Sequence, residues 1–205
     1  MIEWDSTDRI TLCGLPGTGK TVLADYLAHI CEPNLLIYDP LAQYKGFPEE
    51  CIYIPKSDSM AEFEEVCGRL CTRSNFVFLI EEVERYLGQG KALGPNAFDL
   101  INRGRNWGAG IIAVTRRIQK LSKDFFDLCQ KVILFRCGLK SREYIADMTE
   151  KKVARLVVQL PEYHFLYYNV GEEEYVVSTL DLSEGGKLAS DPGLTARAEK
   201  QASRC

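Results

Sequence analysis

The chain has 205 residues, 46% of them hydrophobic and 26% charged, with a formal net charge of −4. That length suits one α/β domain with a substantial core. No run of eighteen apolar residues marks a membrane span, and the acidic start at residues 1–5 lacks the basic and apolar regions of a signal peptide. The negative balance excludes indiscriminate nucleic-acid binding, but it is unevenly spread. Residues 1–100 carry 8 Lys/Arg against 16 Asp/Glu, whereas residues 101–137 carry 8 basic residues against only Asp124 and Asp127. On charge alone, that basic stretch reads as a solvated face.

In chain order, the apolar residues 10–13 predict a first strand. They run straight into Gly14-Leu15-Pro16-Gly17-Thr18-Gly19-Lys20-Thr21, a complete G-x-x-x-x-G-K-[ST] loop, and Val22, Leu23, Tyr26, Leu27 and Ile30 then repeat at helical spacing. The bare pattern occurs by chance in about one chain of this length in a hundred, and the flanking strand and helix make it more specific. The chemistry fits the spacing. Gly14, Gly17 and Gly19 let the backbone curl its N–H groups toward phosphate oxygens, and the positive end of the helix adds to the field. Lys20 is expected at the β- and γ-phosphates of ATP, and the Thr21 hydroxyl on Mg²⁺. Residues 14–22, ending with Val22, are the expected nucleotide-binding segment.

Strand and helix signals then alternate, which predicts a mainly parallel central sheet flanked by helices. Strands are expected at 35–38, 51–54, 76–80, 111–114 and 132–135. Helices are expected at 60–73, 98–102, 122–129, 142–148 and 153–160, with a glycine-rich loop at 88–94. The aromatic runs 165–168 and 175–177 flank a Gly171-Glu172-Glu173 turn and predict an antiparallel hairpin at the sheet edge. From Ser183 the chain is rich in Gly, Ala and Ser without aromatics, and a mobile tail over 183–205 is expected after one motor domain at 1–182. The eight cysteines are scattered. Cys13, Cys129 and Cys137 read as small buried hydrophobes. Cys67 and Cys71 lie four apart without nearby histidines, so neither structural zinc nor a disulfide framework is expected. An ATP-binding loop points to a reducing, cytoplasmic setting.

Hydrolysis needs an acid to organise Mg²⁺ and a base for water. The apolar strand 76–80 runs into Glu81-Glu82, the shape of a Walker B element. Glu81 is expected to hold Mg²⁺ through water, and Glu82 to activate the attacking water. Glu81 stands one methylene longer than the usual Asp. A catalytic Glu adjacent to the metal acid favours ATPases of the additional-strand, catalytic-glutamate class over kinases and GTPases.

Further motifs resemble the HerA/FtsK group of P-loop ATPases. They include Arg105-Asn106-Trp107-Gly108 at the end of a helix, a strand running into Thr115-Arg116-Arg117-Ile118, and Leu121-Ser122-Lys123-Asp124. The stretches Ile37-Tyr38-Asp39-Pro40, Val132 to Arg136 and Leu160-Pro161-Glu162-Tyr163-His164-Phe165 also fit. The resemblance covers roughly residues 8 to 170. It implies Thr115 as the residue that senses phosphate. The position that usually carries a Gln sensor is Arg116, which cannot accept a hydrogen bond but can stabilise phosphate charge. The compact size is similar to the genome-packaging ATPases of tailless icosahedral viruses and phages with an internal membrane. That resemblance implies ATP-driven pumping of double-stranded DNA into a preformed capsid, in the host cytoplasm or on the virion. It also implies a homo-oligomeric ring, pentamer or hexamer, with contacts to capsid or membrane-vertex proteins. Active sites are implied between subunits, with an arginine acting in trans: Arg105 first, then Arg103 and Arg117.

Three alternatives stand beside this reading. An AAA-type ATPase shares the loop but is expected to carry a helical lid where this chain has aromatic strand signals. A filamentous-phage assembly ATPase normally has a membrane span. A small-molecule kinase would lack paired acids on the central strand.

Overall fold

The structure, a computed structural model, describes residues 4–57 and 59–180. Within them the chain folds as β1 (Arg9–Cys13), α1 (Lys20–Cys31), β2 (Leu35–Tyr38), β3 (Ile52–Tyr53), α2 (Met60–Leu70), β4 (Phe76–Ile80), α3 (Pro95–Arg103), β5 (Ala109–Thr115), α4 (Lys123–Asp127), β6 (Lys131–Phe135), α5 (Leu139–Met148), α6 (Lys151–Gln159), β7 (His164–Asn169) and β8 (Glu174–Thr179). All eight strands join one sheet in the order β3-β2-β4-β5-β1-β6-β7-β8. The pairings from β3 through to β6 are parallel, and β6–β7 and β7–β8 are antiparallel. The expected α/β class, with its antiparallel edge hairpin, is therefore the observed one. β5 is the additional strand, inserted between the loop-bearing β1 and the acid-bearing β4.

Side-chain alternation in the strands assigns the two faces. Ile10 and Leu12 of β1, with Ile112 and Val114 of β5, pack under Leu23, Ala24, Leu27 and Ala28 of α1. Ile111 and Ala113 point the other way, into a larger core with Phe63 of α2, Leu100 of α3, Phe125 of α4, Ile145 of α5 and Val157 of α6. β4 is buried along its whole length, as its unbroken apolar run requires at the centre of a parallel sheet. An aromatic cluster fixes the chain just beyond β4. The Phe63 and Tyr86 rings stack at 4.7 Å, and Tyr38 meets Tyr86 edge-on at 5.0 Å.

Several boundaries differ from the sequence expectation for local reasons. The buried stripe of α1 runs through Lys20, Leu23, Ala24, Leu27 and Ala28, so Ile30 falls off its edge and stands 53% exposed. α3 starts earlier than expected because Pro95 occupies its first turn, where a missing N–H costs nothing. α4 is shorter than 122–129, since Ser122 and Leu128 are the flanking caps rather than helical residues. α5 begins at Leu139, whose exposed side chain hides it from an amphipathic pattern. The third strand shrinks to two residues because Cys51 closes a 3-10 turn. The expected tail at 183–205 lies outside the described residues.

Candidate active site

Parallel strands deliver their carboxyl ends to one edge of the sheet, and most of the candidate residues meet there. Leaving β1, the chain turns through Gly14 to Thr21 and enters α1. Gly17 and Gly19 have positive φ values of 76° and 104°. The turn therefore needs glycine at both positions. Gly14 is required for another reason: a Cβ there would lie 2.6 Å from Cβ of Phe135 on β6. The Leu15 amide donates to the Arg136 carbonyl at 2.9 Å, and the Thr18 hydroxyl donates to the Leu15 carbonyl at 2.8 Å. No side chain caps α1 and no acid sits in its first turn, so its amides are left for a ligand.

Lys20 is the buried cation of this loop, 6% exposed, and its Nζ donates to the Leu15 carbonyl at 3.2 Å. Burial holds its pKa below the ordinary lysine value, and the nearby Cys13, Glu81 and Cys137 oppose that shift. A desolvated ammonium resting on a neutral carbonyl is a fit for an anion. This is the structural reason that a nucleotide phosphate suits the loop. Beneath it, the buried thiols of Cys13 and Cys137 lie 3.7 Å apart. The seven described cysteines are all free, and no cluster of metal-ligating side chains occurs among the described residues.

The two acids occupy the end of β4, two strands from the loop. Glu81 is buried, and its Oε1 accepts a 2.7 Å hydrogen bond from the Tyr44 hydroxyl. Burial pushes its carboxyl above the usual range, while the bond from Tyr44 and the charge of Lys20 oppose that shift. A buried carboxylate and the Thr21 hydroxyl are hard oxygen donors of the kind Mg²⁺ takes. Glu82 sits in the left-handed region at φ 47°, a strained backbone for a non-glycine residue and a common mark of a functional position. Its Oε1 lies 3.4 Å from the Arg116 guanidinium, and its Oε2 is in direct contact with Arg85.

Thr115 ends β5 directly beside Cys13 in the sheet register, buried, with its Oγ1 accepting from the Arg117 amide at 3.0 Å. The structure thus brings Gly14 to Val22, Glu81, Glu82, Thr115 and Arg117 to one edge. It does not bring Arg103 and Arg105 there. Arg103 closes α3 and pairs with Asp99 at 3.1 Å, and Arg105 stands exposed in a 3-10 turn before β5. Thr115 is the last residue of the seven-residue strand that follows that turn, roughly 20 Å from its start at strand rise. Buried Arg9, at the start of β1, donates from Nε to the Ile101 carbonyl at 3.0 Å and ties α3 to this far edge.

Several residues at the site had been given no role from the sequence. Tyr44 lies in an irregular loop, and Asp39 accepts from its amide at 2.9 Å, which places the hydroxyl on Glu81. Arg85 follows Glu82 by three residues within one tight turn. Tyr163 and Leu180 press on Gly19, the latter at 2.9 Å from where a Cβ would stand, and the Tyr163 amide donates to the Thr18 carbonyl. Asp39 had a signal in its place after an apolar strand. Tyr163 stood within the Leu160 to Phe165 stretch without a role, and Tyr44 and Leu180 had no signal, because their contacts are to residues distant in sequence.

The family model for the ATPase family associated with various cellular activities (AAA) matches residues 10–137. None of the curated protein sequences matches the chain. Among solved structures, it is similar to the genome packaging NTPase B204 from Sulfolobus turreted icosahedral virus 2 in complex with ATP-gammaS. The identity is 16%, over 87% of this chain and 100% of that one, with a TM-score of 0.73. The DNA-packaging ATPase B204 from Sulfolobus Turreted Icosahedral Virus gives 16% identity, 85% and 98% coverage and a TM-score of 0.72. The pCW3 conjugation coupling protein TcpA, in monomer form with ATPgS, gives 12% identity, 82% and 59% coverage and a TM-score of 0.55. At these identities the likeness is one of fold. The family model stops just beyond β6. The fold likeness to B204 covers 87% of this chain and so extends beyond residue 137.

Proposed function

We propose that this chain, which belongs to the ATPase family associated with various cellular activities (AAA) although α5, α6 and the strands β7 and β8 follow its core where a helical lid was expected of that family, is a motor that spends ATP to move double-stranded DNA. In this reading the DNA is a viral genome driven into a preformed capsid. The observation that carries it is the fold shared with B204 over 87% of this chain and the whole of that packaging NTPase. The basic content of residues 101–137, in an otherwise acidic chain, supports a polyanionic substrate.

The chain is an ATPase, and its own residues suggest a division of labour. The amides of residues 14–22 and Lys20 bind and orient the phosphates, where oriented N–H groups and a desolvated cation act strongly. Mg²⁺, held by Thr21 and by Glu81 through water, would neutralise charge on the β- and γ-phosphates. Glu82 takes a proton from the attacking water, and Thr115 contacts the γ-phosphate from the adjacent strand end. Arg105, with Arg103 and Arg117 behind it, completes the site of a neighbouring subunit in a homo-oligomeric ring. Residues 1–182 act as one motor domain. No helix among the described residues is long and apolar enough to cross a membrane, so attachment at a capsid vertex would run through protein partners.

The test is ATP turnover with and without linear duplex DNA, followed by displacement of a third strand from a triplex as a readout of movement. Stimulated turnover together with strand displacement is the expected result. A family member that acts on protein would hydrolyse ATP without responding to the duplex, and that outcome would overturn the DNA reading.

A further inference from the structure

The sheet order fixes which way a nucleotide lies on the loop. β1 has β5 and then β4 on one side, and β6 and then β7 on the other. Glu81, Glu82 and Thr115 all stand on the β4–β5 side, so a γ-phosphate that reacts there points that way. The phosphates run back across residues 14–22, and the ribose and base leave the loop on the β6–β7 side. Because β7 is antiparallel to β6, with Phe165 opposite Phe135, the turn that enters β7 lies at the same carboxyl edge as the loop.

Tyr163 is the last residue of that turn. Its amide donates to the Thr18 carbonyl at 3.2 Å, and its carbonyl accepts from the Leu180 amide at 2.8 Å and from the Thr179 hydroxyl at 3.4 Å. The residue is thus tied to the phosphate loop on one side and to the end of β8 on the other. Its backbone is left-handed, at φ 60°, a conformation that a non-glycine residue keeps only where its surroundings impose it. The ring lies 3.0 Å from where a Gly19 Cβ would stand, with Leu180 and the Phe135 ring against the same point. It is half-buried against the core under α1, so part of its surface stays open. An aromatic ring held in this way is a platform on which a nucleobase can stack, since every base has a π-face.

We propose that Tyr163 is the base-binding residue of this site: its ring stacks on the nucleobase of the bound nucleoside triphosphate, and residues 161–163 form one wall of the base subsite. The backbone bonds to Thr18 and Leu180 hold the ring at a fixed offset from the phosphate cradle, so base and phosphates are gripped by one rigid unit. Such a contact is made equally in the ground state and the transition state, and it sets affinity without changing the chemical step. The inference rests on the assignment of hydrolysis to the β4–β5 side of the loop and adds where the nucleoside lies.

Tyr163→Ala, Tyr163→Leu and Tyr163→Phe are compared with wild type in the full chain, using ATP and using inorganic tripolyphosphate, which carries the phosphates and no base. Tyr163→Ala and Tyr163→Leu should bind ATP about 10- to 100-fold more weakly, the range of one lost base–aromatic stack, and their KM should rise with kcat kept. Tyr163→Phe should bind ATP as wild type does. Tripolyphosphate should bind all four proteins alike. The triphosphate of 2-aminopurine riboside, whose emission is quenched by stacking, should dim on wild type and Tyr163→Phe and stay bright when it saturates Tyr163→Leu. Tyr163→Leu keeps apolar packing on Leu180, and thermal melting checks that each variant folds. If tripolyphosphate binding weakens in step with ATP binding, Tyr163 only braces the loop and the proposal is overturned. Normal ATP affinity in Tyr163→Leu overturns it as well, and so does a Tyr163→Phe as weak as Tyr163→Ala. A wild type that binds neither ATP nor tripolyphosphate overturns the loop assignment along with it, whereas the other failures leave that assignment standing.

Discussion

The two edges of the sheet carry different kinds of chemistry. At the carboxyl edge, β1, β4 and β5 end together and bring a phosphate loop, two acids and Thr115 into one place. At the amino edge, Arg103 and Arg105 stand exposed, a strand's length from that site. A parallel sheet gives one subunit one such catalytic edge. Charged groups at its other edge can reach a phosphate only if it belongs to another molecule, which is the gap that the proposed ring would bridge.

The largest effect is expected from the carboxyl edge. Lys20→Ala removes the buried cation of the loop, and we expect nucleotide binding and turnover to be lost together. Calorimetry with ATP checks this, and unchanged affinity would sink the loop assignment. At the other edge, Arg105→Ala should reduce turnover by about 10³- to 10⁵-fold if the arginine acts in trans. Mixing decides the point. Arg105→Ala subunits are inactive alone but should regain part of their turnover when combined with Glu82→Gln subunits, which keep the arginine and lack the base. If no mixture recovers activity and Arg105→Ala hydrolyses normally alone, the two edges work independently and Arg105 is a surface or DNA contact.

Next in size is the register at the end of β4. Glu82→Gln keeps the shape of the side chain and removes its basicity, with an expected loss of about 10²- to 10⁴-fold in turnover and retained ATP binding. Glu81→Gln should chiefly weaken the dependence on Mg²⁺. Both acids are buried, but the left-handed backbone and arginine partners of Glu82 and the Tyr44 bond of Glu81 give the two neighbours different environments. If Glu82→Gln turns over normally while Glu81→Gln is dead, their roles are exchanged.

The carboxyl edge was the more legible one in the sequence, and for a physical reason. A phosphate loop is a local device: its strand, its glycines and its helix are contiguous, so their spacing states their geometry. The same holds for Glu81 and Glu82, which follow an apolar strand directly. What the sequence could not state was distance across the sheet. Arg105 and Thr115 are ten positions apart and end on opposite edges, while Tyr44 and Glu81 are far apart in the chain and share a hydrogen bond. Arg85 was hidden because one tight turn, held by the stacked Phe63 and Tyr86 rings, folds it back onto Glu82. The basic content of 101–137 was visible, but only the fold divides it between the amino-edge turn and a cleft beside Glu82.

The smallest effect concerns stability, and it sharpens what the carboxyl edge costs the apo protein. Burial raises the Glu81 carboxyl above its ordinary value, so the folded chain holds that proton more tightly than the unfolded chain does. Stability then falls as pH rises from the ordinary carboxylate value through the raised one, and the penalty is fully present only above the raised value. Glu81→Gln removes the titration. Without nucleotide or Mg²⁺, we expect the variant to melt a few degrees above wild type at neutral pH, with the gap closing on acidification. Tyr44→Phe should act in the opposite direction. It deletes the hydroxyl that favours the charged form, so the wild-type advantage over Tyr44→Phe should grow as pH rises. Melting curves across that range test both. If wild type and Glu81→Gln keep a constant gap from acid to neutral pH, then Lys20 and Tyr44 already offset the burial of Glu81. The acid would then carry no cost for a metal ion to relieve, and the argument for Mg²⁺ at Glu81 would lose its support from burial.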